Sequence, residues 1–157
     1  MKRWAALVTV LAFSALAPRM SAAQSNPSGP AKVPGSGSEL GQNSPNPFTV
    51  DTKIPFTLGD YPTCSDQSRV YHVTLKIYNI ISQLVAIPVL QGGAGSVADG
   101  APLDDVELPC GQYTAYWDAK NTKTGQQVPK GVYLYRLEVD GKPATKKMYF
   151  SGPKPSS

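Results

Sequence analysis

Histidine is nearly missing from this chain, and cysteine is sparse: His72 stands alone, and Cys64 and Cys110 are the only two thiols among 157 residues. A multi-histidine zinc site therefore cannot be built. A Ser-His-Asp relay would have to run through His72, and no Gly-x-Ser-x-Gly elbow accompanies it. Long apolar runs are also lacking: the longest, Trp4 to Ala17, holds about 14 residues, short of the roughly 20 needed to span a hydrocarbon core as a helix. No segment of the remainder repeats apolar residues with a helical period. Nor do the basic residues form a stripe. Lysine and arginine are interleaved with aspartate and glutamate, which sets nucleic acid aside as a partner.

What is present begins with a processing pattern. Lys2 and Arg3 precede the short apolar run, and Ser21 and Ala23 occupy the small-residue places of a cleavage site, so residues 1–23 are expected to be a signal peptide. The alternative, an uncleaved anchor, is disfavoured by the length of the run. Cleavage would remove Lys2, Arg3 and Arg19 with no acid, lowering the formal charge from +4 to about +1. Export then assigns the chemistry of Cys64 and Cys110, because thiols in an oxidising compartment pair; free thiols would require a reducing cytosol. Such a bridge leaves no thiolate nucleophile. The expected location is periplasmic, cell-surface or secreted, with no membrane span after cleavage.

Residues 24–44 are rich in Ser, Gly, Pro and Asn and are expected to form a flexible stalk, too poor in apolar surface to offset their ordering entropy. The carboxyl-terminal residues 152–157 have the same composition and are expected to be a disordered tail. Between them the period is two. Val70 to Asn79 places Val73, Leu75 and Ile77 on one face and His72, Thr74, Lys76 and Tyr78 on the other. Ile54 to Leu58 is a shorter strand that Pro55 should confine to an edge, and Leu84 to Leu90 is extended, with Pro88 marking an edge or a bulge. Gln112 to Trp117 alternates about Tyr113, Ala115 and Trp117. Val132 to Val139 alternates about Tyr133, Tyr135 and Leu137, and Asp140-Gly141 turns it into Ala144 to Phe150. Short strands separated by turn signals predict an all-β sandwich. Gln91 to Pro109 breaks the rhythm with its glycines, and is expected to be a mobile loop or an embellishment on the fold.

The order of motifs adds a family resemblance. Asn46-Pro47-Phe48, Ile54-Pro55-Phe56-Thr57-Leu58, Val73 to Asn79, Gly111-Gln112-Tyr113, Trp117-Asp118, Gly125, Gly131 to Leu137 and Lys146 to Phe150 together resemble the immunoglobulin-like domain of the flagellar hook-capping protein and related modules of secreted bacterial proteins. The resemblance covers residues 45–151 and implies an immunoglobulin-like β-sandwich of about seven antiparallel strands, serving as a scaffold or attachment module without an active site. The sorting domain of the type IX secretion route is a related form. This chain departs from it in having no cargo domain upstream and in continuing past Phe150 into a Pro-Lys-Pro tail.

Several residues carry expectations of their own. Asn46 is pushed towards an extended conformation by Pro47. Gly131 suits a close backbone approach and Gly125 a turn with positive φ. Trp117 is a core anchor whose N–H needs one acceptor, and Asp118 caps the turn from Asn121 to Gly125. Asp118, Asn121 and Gly125 lack the full ladder of a calcium loop, so an Asx turn is the simpler reading. The acids Asp99, Asp104, Asp105 and Glu107 form a second acidic cluster, for which solvation is favoured over a metal. No cofactor is implied. Tyr116, Asp104 and Asp105 are the candidate partner contacts, and edge strands make strand addition physically available. The leading expectation is a non-enzymatic interaction module of the envelope or cell surface, binding an envelope or surface protein. A secretion sorting domain, and a small glycan-binding or hydrolytic protein using residues 91–109, are the alternatives.

Overall fold

A computed structural model of the chain describes residues 29–155. The expected signal peptide, residues 24–28 and residues 156–157 lie outside the described residues. Ten strands and no helix occur among the described residues: β1 (Ala31–Lys32), β2 (Glu39–Leu40), β3 (Thr52–Leu58), β4 (Val70–Asn79), β5 (Leu84–Ala86), β6 (Val89–Gln91), β7 (Val106–Pro109), β8 (Gly111–Trp117), β9 (Gly131–Val139) and β10 (Lys142–Phe150). They form two antiparallel sheets, ordered β1-β2-β3-β8-β6 and β10-β9-β4-β5, with β7 pairing β4 beside β5. The fold is an all-β sandwich. The count exceeds the expected seven because β1, β2, β5, β6 and β7 are short strands that periodicity does not resolve.

Alternation sets the two inner faces. Along β4, Tyr71, Val73, Leu75 and Ile77 are buried while His72 is exposed, and along β9 the buried set is Tyr133, Tyr135, Leu137 and Val139. The β4–β9 ladder runs from Val73 opposite Val139 to Asn79 opposite Tyr133. Asp140 and Gly141 both take positive φ, 50° and 77°, in the two-residue turn that returns the chain as β10. Each fully buried aliphatic side chain contributes about 1.5–3 kcal/mol relative to exposure, so these alternating sets dominate the stability of the sandwich.

Three expectations are corrected, and a fourth, left between two alternatives, is resolved. Residues 29–44 are not a stalk: β2 pairs β3, and Val33 and Leu40 are buried in the core. The polar residues there are buried with partners, Ser38 Oγ accepting from Gly59 N–H at 3.0 Å and Asn43 Nδ2 donating to Thr52 Oγ1 at 3.0 Å. Pro55 does not lie on an edge. Its carbonyl accepts from Gly41 N–H at 2.8 Å, but with no N–H to return, the β2–β3 ladder ends there. Leu84 to Leu90 is not one strand, since Pro88 falls where the chain leaves β5 in one sheet and becomes β6 in the other. Finally, Gln91 to Pro109 is a structural embellishment and no mobile loop: Leu103 and Leu108 are fully buried, and β7 extends the second sheet.

The disulfide forms as expected. Cys64 and Cys110 are bonded with Cα atoms 5.6 Å apart, tying the loop after β3 to the corner between β7 and β8. In that loop the Ser65 hydroxyl and N–H both bond the Asp60 carboxylate and hold it below the usual carboxylate range. Gly59 shows why no side chain fits beside the bridge: its φ is +68°, and a Cβ would lie 2.5 Å from the Tyr71 hydroxyl. Gly131, by contrast, has open space around it, so its φ of +153° and not a close approach accounts for glycine there.

Candidate attachment surface

One end of the sandwich is assembled from three loops. Register brings together the ends of β4, β8 and β10 and the starts of β3 and β9, through Asn79 opposite Tyr133, Phe150 opposite Gly131, and Thr52 opposite Trp117. A ring cluster locks them, with centroids 5.7 Å apart for Phe48 and Trp117, 5.0 Å for Phe48 and Phe150, and 5.5 Å for Trp117 and Tyr133. Trp117 Nε1 donates to Lys120 C=O at 2.9 Å, as its indole requires. Beyond it, Asn121 Oδ1 accepts from Lys123 N–H at 2.9 Å and Gly125 takes φ +68°, an Asx turn closed by its own side chain. Asp118 Oδ1 accepts from Lys120 N–H at 3.2 Å, ahead of the Asn121 to Gly125 turn expected for its cap.

The β4–β5 hairpin projects from this end. Asn79 Oδ1 accepts from Ile81 N–H at 3.2 Å and Gln83 N–H at 2.9 Å, which ties the turn to its base and leaves Ile80 and Ile81 outside, 72% and 68% exposed. Val50, in the loop before β3, is 59% exposed, and Leu84 on β5 and Tyr149 on β10 are exposed at the opposite margins of the second sheet. These are five of the seven large hydrophobic residues exposed among those described, the others being Tyr61 and Val70. Ile80 also lines an open groove of about 350 Å³ with Val85, Val128, Lys130 and Tyr133. Sequence reasoning missed this tip. Its signal was Ile80-Ile81 standing in a turn between Asn79 and Ser82, where polar residues are the rule.

The candidate contact residues are only partly brought together. Tyr116 and Asp104 line a second groove, about 530 Å³, with Ile87, Pro102 and Lys120. The half-buried Tyr116 hydroxyl donates to Asp51 Oδ2 at 3.1 Å, and burial followed by that carboxylate raises its pKa. Asp105 lies elsewhere, on the outer face of the β4 sheet, 3.4 Å from His72 Nδ1, with Glu107 3.6 Å from His72 Nε2. Asp104 pairs with Lys76 at 3.5 Å, and Asp99 accepts from Gly92 N–H at 2.7 Å. Asp99 and Asp104 thus have separate partners while Asp105 and Glu107 share His72, and among the described residues no group of three or more His, Cys, Asp or Glu side chains is placed to hold a metal ion.

The sheet edges are blunted. On β10, Pro143 has no N–H, Gln42 Nε2 donates to Lys147 C=O at 3.2 Å, Asn46 Oδ1 accepts from Tyr149 N–H at 2.9 Å, and Phe48 N–H donates to Tyr149 C=O at 3.0 Å. Leu90 of β6 exchanges bonds with Ala101 and Gly100, both 2.8 Å, and Val85 C=O of β5 accepts from Thr122 N–H at 3.1 Å. Strand addition, anticipated from the sequence, meets occupied backbone at each of these places.

The surface and fold define a class: a disulfide-tied β-sandwich with blunted edges and an apolar-tipped loop end. The bridge indicates an oxidising, extracytoplasmic compartment, and no helix among the described residues is long and apolar enough to cross a membrane. No protein-family model matches the chain, and no curated protein or solved structure matches it.

Proposed function

We propose that this chain is an exported, non-enzymatic attachment module of the bacterial envelope or cell surface, an immunoglobulin-like domain similar to that of the flagellar hook-capping protein. The observation that carries the reading is the polarisation of its surface: exposed aliphatic side chains gather on the loops at one end, whereas backbone on the edge strands β5, β6 and β10 is already engaged. The motifs behind the resemblance support it by their placement, Ile54 to Leu58 within β3, Val73 to Asn79 within β4, Gly131 to Leu137 within β9 and Lys146 to Phe150 within β10.

The test is fractionation of cells producing the full chain. The oxidised protein should be recovered with the envelope, and an Ile80→Ser/Ile81→Ser variant should be released from it; recovery of the wild type in the cytosol with reduced thiols refutes the proposal. A sorting role would require a cut distinct from the expected signal-peptide cleavage and ahead of residue 29, because β1 and β2 belong to the sandwich, and the mass of the mature protein distinguishes the two cuts. The groove shared by Tyr116 and Asp104 favours glycan binding as a second reading. Loss of binding on a glycan array in Tyr116→Ala would support it, and an array with no signal for the wild type would remove it.

A further inference from the structure

We infer that the loop end of the sandwich docks on an anionic lipid surface, with the Ile80-Ile81 tip and Val50 entering the interface and lysines contacting the headgroups. This deepens the attachment reading and rests on it. Two adjacent isoleucines held outward by a side-chain-braced turn stay largely exposed in the isolated domain, and apolar side chains gathered at one end mark an interaction site. Their rigidity matters, because the ordering entropy of the tip is spent on folding and not on docking.

Charge selects lipid of one sign. Lys120, Lys123 and Lys130 lie on the loop beside the tip, and Lys130 lines the same groove as Ile80. Of the acids at this end, Asp118 pairs with Lys120 at 3.3 Å, while Asp51 accepts from the neutral Tyr116 hydroxyl and is the one carboxylate set against Lys123 and Lys130. Lys123 and Lys130 make no ion pair among the described residues, so with Asp51 set against them the end carries a net positive charge around exposed aliphatics. That combination matches the headgroup boundary of an anionic bilayer, where apolar burial and cation attraction add. A protein partner would be served equally by the aliphatic tip, but the cations beside it favour an acidic surface.

The experiment is sedimentation of the full chain with vesicles of phosphatidylcholine alone or with about a third phosphatidylglycerol, at low and high salt. The wild type should bind the anionic vesicles at least about tenfold more tightly than the neutral ones, with salt weakening the binding. Ile80→Ser/Ile81→Ser should lose at least about tenfold in partitioning, Lys123→Gln/Lys130→Gln should lose the salt-sensitive part, and Tyr61→Ser, at the opposite end, should bind as wild type. Near-ultraviolet circular dichroism checks that each variant is folded. Equal binding to both vesicle types, no binding to either, or full retention of binding by the isoleucine variant overturns the inference. If the isoleucine variant leaves the envelope fraction while wild type ignores both vesicles, lipid docking falls and protein-mediated attachment stands.

Discussion

Replacing Tyr135 with phenylalanine tests how the amino-terminal segment is held to the sandwich. The ring is fully buried, and its hydroxyl donates to Gly41 C=O at 2.9 Å while accepting from Asn43 N–H at 3.1 Å. Phenylalanine keeps the ring volume, so the loss falls on those two backbone groups. An orphaned buried N–H costs about 1–3 kcal/mol, and the half-buried carbonyl of Gly41, which keeps access to water, adds about 1 kcal/mol at most. The expected destabilisation is about 2–3 kcal/mol, a fall in Tm of about 10 °C for a domain of this size. Amide exchange should speed up selectively at residues 40–43.

The same substitution has a signature in pH. Burial pushes the Tyr135 phenol far above the ordinary tyrosine range, against the opposing bond from Asn43 N–H. The unfolded chain releases that proton near pH 10 while the folded chain retains it, so its contribution to stability is whole below pH 10 and declines as pH rises further. The slope from this one group is about 1.4 kcal/mol per pH unit. Urea unfolding from pH about 9 to about 11 should therefore show a shallower alkaline decline in Tyr135→Phe than in wild type. A Tm within about 1 °C of wild type, unchanged protection at residues 40–43, or identical alkaline slopes would refute the assigned role.

Two further substitutions probe the covalent link and the glycine-rich segment. Cys64→Ala/Cys110→Ala opens a crosslink spanning 46 residues, for which chain entropy gives about 4 kcal/mol; denaturant unfolding should show most of this, and a loss below about 1 kcal/mol would mean that the bridge adds little. Leu103→Ala removes a fully buried side chain from the segment between β6 and β7 and should cost about 2–5 kcal/mol. A neutral result there would restore the mobile-loop reading.

The long strands were legible because their alternation is uninterrupted. Val70 to Asn79 and the Asp140-Gly141 hairpin are set by residue type alone, and their observed bounds coincide with the period-two pattern. The pairing of Cys64 with Cys110 followed from export and number. The stalk expectation failed for a physical reason: two apolar residues, Val33 and Leu40, are too few to register in composition, yet both are buried, and Ser38 and Asn43 are satisfied by partners far along the chain. Likewise, Asp104 and Asp105 are adjacent in sequence but fall to different partners, Lys76 and His72, because the chain bends there, with Asp105 at φ +52°, before β7 begins. Tyr116 meets Asp104 only through the fold, and no spacing encodes that.

The irregular segments also explain why the regular ones stay solitary. A nine-residue edge strand such as β10 would ordinarily template pairing with another chain. Here Gln42, Asn46 and Phe48, all outside strands, occupy its carboxyl-terminal half, while Pro143 interrupts the remainder. Residues 100–101 cover β6 in the same way, and Thr122 covers β5. Contact through backbone ladders is closed at these places, which leaves side chains as the means of association. The side chains available are unevenly spread, with the braced isoleucine tip at one end and the disulfide loop away from it. On the proposed attachment reading, such an arrangement gives one adhesive end and a covalently stiffened remainder, which would fix the orientation of docking.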